Sequence, residues 1–206
     1  MPTERFMNLP EEKKKKIQQA AFAEFSRVPM EKVSINKIIQ AADISRGSFY
    51  TYFVDKADLL DYILSDLRIT TKDSLINGLK ENHGDFFLCL DQIMESILHN
   101  SQLSSSGFFK NLMAGITLSD DLTQRLGCFA CPKEDCRDLG PLLYELSDKT
   151  RWELQDYEAF HDLMEIIAAL SISTFAKTLL LSTPPDTALN HFRKKLHIIK
   201  NGVYSH

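Results

Sequence analysis

The sequence predicts an all-α protein with two parts, a three-helix domain at the N-terminus and a larger helical bundle behind it. Apolar residues recur at three- and four-residue spacing along most of the 206 residues, which is the period of helices buried on one face. No convincing alternation of apolar and polar residues indicates a strand, and no internal repeat is present. We therefore expect two helical domains, at residues 1–54 and 55–206.

The first two predicted helices form the base of the N-terminal domain. The first begins near Pro10, because proline suits a first helical turn, and buries a stripe that contains Ile17 and Phe25. The second runs from Ser34, which can cap its N-terminus, to a turn at Asp43. Aspartate tolerates the left-handed backbone conformation, so the chain can reverse sharply there.

The third predicted helix is short, with a small apolar face. Ser45 can cap its N-terminus, and Phe49 and Phe53, four residues apart, are its buried anchors. The remaining positions are polar or small, namely Arg46, Gly47, Ser48, Tyr50, Thr51 and Tyr52. A helix with this outward face is predicted to contact a polar partner.

The outward side chains suit nucleic acid. Arg46 carries the planar donor fork that pairs bidentately with guanine, and Gly47 allows close approach of the backbone. Ser48 and Thr51 can exchange hydrogen bonds with bases and phosphates, and Lys56 begins the next helix, where its ammonium suits a phosphate. A plain helical hairpin with solvated polar residues is the alternative, because many proteins contain such hairpins.

Residues 9–60 resemble the DNA-binding domain of the tetracycline-repressor (TetR) family. The recognition helix of that family follows the pattern Val/Ile-Ser-x-Gly-Ser/Thr-hydrophobic-Tyr-x-Tyr-Phe, with a lysine three residues further on. The matching residues here are Ile44, Ser45, Gly47, Ser48, Phe49, Tyr50, Tyr52, Phe53 and Lys56. Asp43 departs from the family, which usually has glycine there, and a carboxylate near phosphates would weaken binding slightly.

The resemblance implies roles for the residues of this domain. Bases or adjacent phosphates would be faced by Arg46, Gly47, Ser48 and Tyr50, while the DNA backbone would be held by Ser34, Tyr52 and Lys56. Asn36 is at a position that sometimes reaches a base in this family. The complete set of expected DNA-contacting residues is Ser34, Asn36, Ser45, Arg46, Gly47, Ser48, Tyr50, Thr51, Tyr52 and Lys56.

The net charge of −4 is unevenly distributed along the chain. Residues 1–56 contain ten Lys or Arg and seven Asp or Glu, whereas the remainder contains fourteen and twenty-one. A mildly basic N-terminal part on an acidic remainder fits a protein that docks one end on DNA.

We expect a cytoplasmic protein that has no membrane partner, needs no cofactor and is not an enzyme. The N-terminus lacks an apolar signal segment, and no stretch approaches the roughly 18 uncharged apolar residues of a membrane span. No Ser/His/Asp order, paired-His helix or phosphate-binding glycine loop is present.

The second domain is predicted to be helical throughout. A long helix that starts after Asp55 and runs toward Gly78 is expected to connect the two domains. Further helices are predicted over Asp85 to His99, Gly107 to Ile116 and Trp152 to Leu181, followed by a last helix near the C-terminus.

The last helix carries a heptad seam, which requires a partner along its length. Packing inside one chain is one interpretation, and the resemblance favours a homodimer, because the last two long helices form the dimer interface in the TetR family. The expected interface residues are Phe160, Leu163, Ile167, Leu189, Phe192, Leu196, Ile199 and Val203. A two-fold dimer would place two recognition helices roughly 34 Å or somewhat more apart and predicts a palindromic operator on double-stranded DNA.

The resemblance also implies a small-molecule pocket between the middle helices, although no motif identifies its lining. Apolar cavities between bundle helices are common ligand sites. The expected lining residues are Met94, Phe109, Met113 and Phe160.

One cysteine cluster offers a different chemistry. Cys128, Cys131 and Cys136 could supply thiolates to zinc or form a switchable disulfide. No second Cys-x-x-Cys or paired histidine lies nearby, and cytosolic thiols stay reduced, so we expect incidental thiols and no metal.

These patterns and the resemblance together predict a DNA-binding transcriptional regulator, and the resemblance further implies a repressor that a small-molecule effector releases from its operator. A metal- or thiol-responsive regulator that uses Cys128, Cys131 and Cys136 is one alternative. A helical ligand-binding or scaffolding protein without DNA binding is the other, supported only by Asp43 and the acidic net charge.

Overall fold

The computed structural model describes residues 2–100, 107–116, 138–150, 152–154 and 156–203. Within these ranges the regular secondary structure is helical and no strand is present. The helices are α1 (Glu4–Met7), α2 (Glu11–Arg27), α3 (Ile35–Ala42), α4 (Arg46–Tyr52), α5 (Lys56–Glu81), α6 (Phe86–His99), α7 (Gly107–Ile116), α8 (Leu139–Leu146), α9 (Tyr157–Leu180) and α10 (Pro185–Val203). A short 3-10 turn, Met30–Lys32, precedes α3.

The chain forms two compact units, and the division falls inside α5. Among the described residues, the first unit contains 2–67 and 107–116, and the second contains 68–100 and most of 138–203. The helix α7, which we expected in the second domain, is grouped with the first unit, where it packs against α2. The domain boundary at residue 54 remains a prediction.

The turn between α3 and α4 has the predicted geometry. Asp43 adopts a left-handed conformation with φ of 56° and ψ of 50°. The hydroxyl of Ser45 accepts a hydrogen bond from the backbone N–H of Ser48 and so caps α4, as expected. Ser34 lies at the N-cap position of α3, but its side chain makes no capping hydrogen bond. Its backbone N–H is held instead by the carboxylate of Glu24.

The helix α1 was not predicted from the sequence. It carries Phe6, which is fully buried and whose ring lies 4.7 Å from that of Phe53 and 4.8 Å from that of Tyr62, centre to centre. Phe6 therefore packs the N-terminal segment against the helices that follow. A four-residue helix has too few residues for its period to be visible in the sequence.

In the second unit, α6, α9 and α10 pack around one apolar core. This core contains most of the heptad seam of α10 together with the expected interface residues of α9, since six expected interface residues are at most 5% exposed within the single chain: Phe160, Leu163, Ile167, Leu189, Phe192 and Leu196. The last two, Ile199 and Val203, pack partly buried against the same core. The seam therefore packs inside the chain, because α6 supplies the partner surface that we had assigned to a second copy.

The helix α9 is more apolar than we expected from the sequence. An 18-residue stretch of it has a mean hydropathy of 1.6 with at most two charged residues, so by length and composition it is able to cross a membrane. Only 33% of that stretch is buried within the described structure. Core helices of soluble proteins pass the same criterion.

Candidate nucleic-acid interface

The carboxylate of Glu24 positions the start of α3. It accepts hydrogen bonds from Nε and Nη2 of Arg27, both at 2.8 Å, and from the backbone N–H of Ser34 at 3.1 Å. The hydrogen bonds of Arg27 lower the pKa of Glu24 below the ordinary value of a glutamate, and the Ser34 N–H lowers it further. The side chain is 6% exposed, and no pattern in the sequence distinguishes it from a surface glutamate.

The hydroxyl groups of α4 are bonded within the helix. The Oγ atoms of Ser45 and Ser48 lie 2.9 Å apart, and Oγ1 of Thr51 donates to the carbonyl oxygen of Gly47 at 2.9 Å. Space is open around Gly47, where an added Cβ would meet only the hydroxyl of Ser45 at 3.8 Å. The side chains of these residues are therefore short, and a longer side chain beside them can extend further outward to reach a partner.

The longer side chain that extends beyond these short ones is that of Arg46. Its Nη1 donates to Oδ1 of Asn36 on α3 at 2.8 Å, and its Nη2 lies 3.5 Å from the hydroxyl oxygen of Tyr50. The guanidinium carbon is 5.6 Å from the centre of the Tyr50 ring, within the range of a cation–π contact. All three side chains are exposed, so the structure brings together three of the expected DNA-contacting residues on one outward surface.

Lys56 and Tyr52, two further expected contact residues, also have internal partners. Lys56 Nζ donates to the backbone carbonyls of Met30 and Glu31, at 2.7 and 3.1 Å, and so ties the start of α5 to the turn before α3. Tyr52 is 8% exposed, and its ring packs edge-on against Phe6. These contacts give both residues a structural role that the sequence did not indicate.

The N-terminal segment supports α4 from its C-terminal end. The backbone N–H of Thr3 donates to the carbonyl oxygen of Tyr52 at 3.0 Å, and Oγ1 of Thr3 donates to that of Thr51 at 2.8 Å. The last carbonyls of a helix have no partner within it, so these bonds satisfy two of them. The only sequence signal for this support is Thr3 itself, whose hydroxyl also caps α1.

The helix α7 packs against α2 within the first unit. The side-chain amide of Asn111 donates to the carbonyl oxygens of Phe25 and Ser26, both at 3.0 Å, at the C-terminal end of α2. Gly107 lies so close to α2 that an added Cβ would stand 2.5 Å from the carbonyl oxygen of Ser26. These long-range contacts join residues more than 80 positions apart, so no local pattern could have indicated them.

Comparisons with known proteins identify the family of this chain. Residues 17–63 match the family model for bacterial regulatory proteins of the tetR family, and residues 85–203 match the model for the tetracyclin repressor-like C-terminal domain. The second match alone spans more than half of the chain. The chain belongs to the TetR family. This is a family of transcriptional regulators, and its N-terminal domain is a helix-turn-helix.

Curated relatives match part of the chain. It is 35% identical over 83 residues to the uncharacterized HTH-type transcriptional regulator YvdT of Bacillus subtilis (strain 168), covering 40% of this chain and 42% of YvdT. It is 26% identical over 95 residues to an HTH-type transcriptional regulator of Staphylococcus aureus (strain USA300), covering 45% of this chain and 51% of that protein. The matches therefore span about half of the length of these relatives.

The fold is also that of a solved TetR structure. The TetR family repressor AlkX from Dietzia sp. strain DQ12-45-1b, implicated in biodegradation of n-alkanes, aligns over 90% of this chain and 94% of its own. The TM-score is 0.56 and the identity is 17%, so the likeness concerns the fold alone. It confirms the predicted fold class, an N-terminal helix-turn-helix domain followed by a helical domain.

The four residues expected to line a pocket in this TetR protein belong to both units. Met94 and Phe160 are buried in the core of the second unit, and Phe160 stacks on Trp152. Phe109 and Met113 lie on α7 in the first unit. Their role as pocket residues remains a prediction.

The cysteine cluster at Cys128, Cys131 and Cys136 lies outside the described residues. Among the described ones, no group of three His, Cys, Asp or Glu side chains is placed to hold a metal ion. Cys89 is buried, and burial raises the pKa of its thiol to about 11, with the Asp85 and Glu81 carboxylates adding to the shift. A thiol in this environment is a structural residue of α6.

Proposed function

We propose that this TetR-family protein is a cytoplasmic repressor that binds a palindromic operator on double-stranded DNA as a homodimer and leaves it when a small-molecule effector binds. The observation that carries the proposal is the outward surface of Asn36, Arg46 and Tyr50 on two helices joined by the left-handed turn at Asp43. In a helix-turn-helix, the second helix enters the major groove and its first residues contact base edges.

The electrostatics of this surface support DNA binding. Arg46 is an exposed cation with donors for base edges. The carboxylate of Asp43, which would by itself repel phosphates, lies 3.5 Å from Nζ of Lys16 on α2. This exposed pair places the positive charge of Lys16 beside the negative charge of Asp43. Asp43, which stands where the family usually has glycine, therefore weakens the attraction of the first unit for phosphate only slightly.

The homodimer is supported by apolar surface on the last two helices. Ile166 on α9, Leu181 after it and Ile198 on α10 are 56%, 71% and 71% exposed. Because the heptad seam is buried inside the chain, we place the dimer contact on these outward faces instead. A four-helix contact between two copies would remove this apolar surface from water.

The oligomeric state tests this part of the proposal. Sedimentation of the full chain should give a dimer, and Ile166→Asp with Ile198→Asp should give a monomer, because two charges would be buried in the contact. Leu88→Asp on α6 makes a matched exposed change outside the last two helices and should leave the dimer intact. A monomeric wild-type chain, or a double variant that stays dimeric, would contradict the proposed contact.

Release by an effector is supported by the continuity of α5. This helix runs for 26 residues from Lys56 at the recognition domain into the second unit. A ligand that prefers one conformation of the second unit can act through it on the two recognition helices of a dimer. Small molecules that raise the thermal unfolding temperature should then lower operator affinity, and operator DNA should lower their affinity by the same factor. Binders that leave operator affinity unchanged would contradict this step.

Selection of bound sequences from random duplex DNA tests the proposed sequence-specific binding to a palindromic operator. The expected result is a palindrome whose half-sites lie about one helical turn, roughly 10 base pairs, apart or somewhat more. Arg46→Ala should weaken binding about 5- to 150-fold, the range for a bidentate base contact, whereas Lys194→Ala on α10 removes the same charge and should change it little. A reporter gene behind the selected operator should be silenced by the protein. Enrichment of no sequence would overturn the proposal.

A further inference from the structure

We infer that Asn36 is a positioning residue that holds Arg46 for a guanine edge and does not itself read adenine. The inference rests on the proposed DNA binding and concerns the specificity of the same surface. Asparagine in a major groove usually pairs bidentately with adenine, accepting from N6 and donating to N7. The geometry of Asn36 favours a different use of its amide.

The orientation of the Asn36 amide follows from the chemistry of its partner. A guanidinium group has five N–H donors and no acceptor, so the atom 2.8 Å from Arg46 Nη1 must be the carbonyl oxygen Oδ1. The bond is charge-assisted, and such bonds are stronger than those between neutral groups. One of the two lone pairs of the oxygen that adenine N6 would need is therefore already engaged with a cation.

Counting donors indicates which base edge fits. Arg46 uses one N–H toward Asn36, and a second points at the Tyr50 hydroxyl, which leaves three for a base. Asn36 keeps both amide N–H groups, so the pair presents donors and positive charge to the groove. Guanine shows two acceptors there, N7 and O6, whereas adenine shows one acceptor and the N6 donor.

The two contacts also restrict the arginine before DNA arrives. Asn36 holds one end of the guanidinium from α3, and the Tyr50 ring lies beside it, 5.6 Å from ring centre to guanidinium carbon. A long side chain that is already oriented loses less conformational freedom on binding. Because orientation matters most for a bidentate pair, losing Asn36 should lower discrimination between bases more than overall affinity.

The test compares binding of the full-length wild type, Asn36→Ala and Asn36→Asp to the selected operator and to operators with each base exchanged. We expect a guanine in each half-site whose replacement by adenine weakens the wild type, with Asn36→Ala reducing that preference by about fivefold or more. Asn36→Asp keeps an acceptor for Arg46 and should retain the preference, although its charge lowers affinity for every sequence. Gln40→Ala, an exposed change on the same helix, should leave the preference unchanged.

The outcomes separate this inference from the proposed function. If the wild type selects a palindrome but Asn36→Ala weakens every sequence equally, or changes nothing, Asn36 has no positioning role. If Asn36→Ala removes a preference for adenine, Asn36 reads that base directly and the inference is wrong. If the wild type enriches no sequence, the proposed function fails and the inference fails with it. Thermal unfolding of each variant shows whether a loss of binding comes from loss of the fold.

Discussion

Lys56, the first residue of the long helix α5, donates from its ammonium to the backbone carbonyl of Met30 at 2.7 Å. The carbonyl of Glu31 accepts a second bond from the same group. The resemblance to the TetR family implied a phosphate contact for this lysine. In the structure, it joins the beginning of α5 to the turn that leads into α3, and one N–H remains for a phosphate.

Replacing Lys56 by methionine should therefore destabilise the protein as well as weaken DNA binding. The loss of two hydrogen bonds from a charged donor should lower the free energy of unfolding by about 1–2 kcal/mol, measured by urea unfolding. Lys13→Met, an exposed lysine on α2, is the matched control and should change it by less than about 0.5 kcal/mol. Weaker operator binding at unchanged stability would mean that Lys56 serves DNA alone.

Phe6→Ala should be among the most destabilising substitutions in the first unit. It would empty a fully buried site that touches three aromatic rings, at a cost of roughly 3–5 kcal/mol. Met7→Ala removes a neighbouring apolar side chain that is 55% exposed and should be nearly neutral. Thermal unfolding of both variants measures the difference. Similar unfolding temperatures would show that α1 is not part of the folded core.

Glu24→Gln should lower the free energy of unfolding at neutral pH and make that free energy depend less on pH in the acid range. The folded state holds the pKa of Glu24 below its unfolded value through Arg27 and the Ser34 N–H, so the charged carboxylate stabilises the fold above the unfolded pKa. That contribution is lost as the pH falls through the folded pKa.

The expected loss for Glu24→Gln is about 1–2 kcal/mol at pH 7, and the gap to wild type should begin to narrow near the ordinary glutamate pKa of about 4.3 and close as the pH falls through the lower folded pKa. Urea unfolding at several pH values checks this, with Glu12→Gln as an exposed control on the same helix. A gap that stays constant between pH 7 and pH 3 would show that the ionised carboxylate is not the stabilising form.

The thiol of Cys89 should be unreactive in the native protein. Burial raises its pKa to about 11, so little thiolate exists at pH 8, and the thiolate is the nucleophile. In a variant with Cys128, Cys131 and Cys136 replaced by serine, a thiol reagent at pH 8 should label Cys89 only after unfolding in urea. Rapid labelling of the folded variant would contradict the buried position.

Local features of this fold were predictable because neighbouring residues cause them. Asp43 adopts the left-handed conformation, Ser45 caps α4, and α5 starts after Asp55 and continues to Gly78, as the sequence predicted, although it ends only at Glu81. Each depends on the backbone preference of one residue or on the apolar period of one helix.

Distant contacts were not predictable from those patterns. Three of these contacts join segments that lie far apart in the chain. Lys56 donates to Met30, Asn111 donates to the end of α2, and Phe6 packs α1 against Phe53. The heptad seam is the clearest case, since a seam that packs inside the chain and one that faces a second copy have the same period.

The sequence by itself determined the helical class, the turn at Asp43 and the polar outward face of α4, because local propensity and periodicity are written in consecutive residues. Only the tertiary structure decided which partner each side chain has. In the folded chain, Arg46 donates a hydrogen bond to Asn36, Lys56 donates one to Met30, and Phe192 is buried within its own chain. The physical reason is that hydrogen bonding and apolar burial depend on distances between atoms, which the folded chain sets and the order of residues does not show.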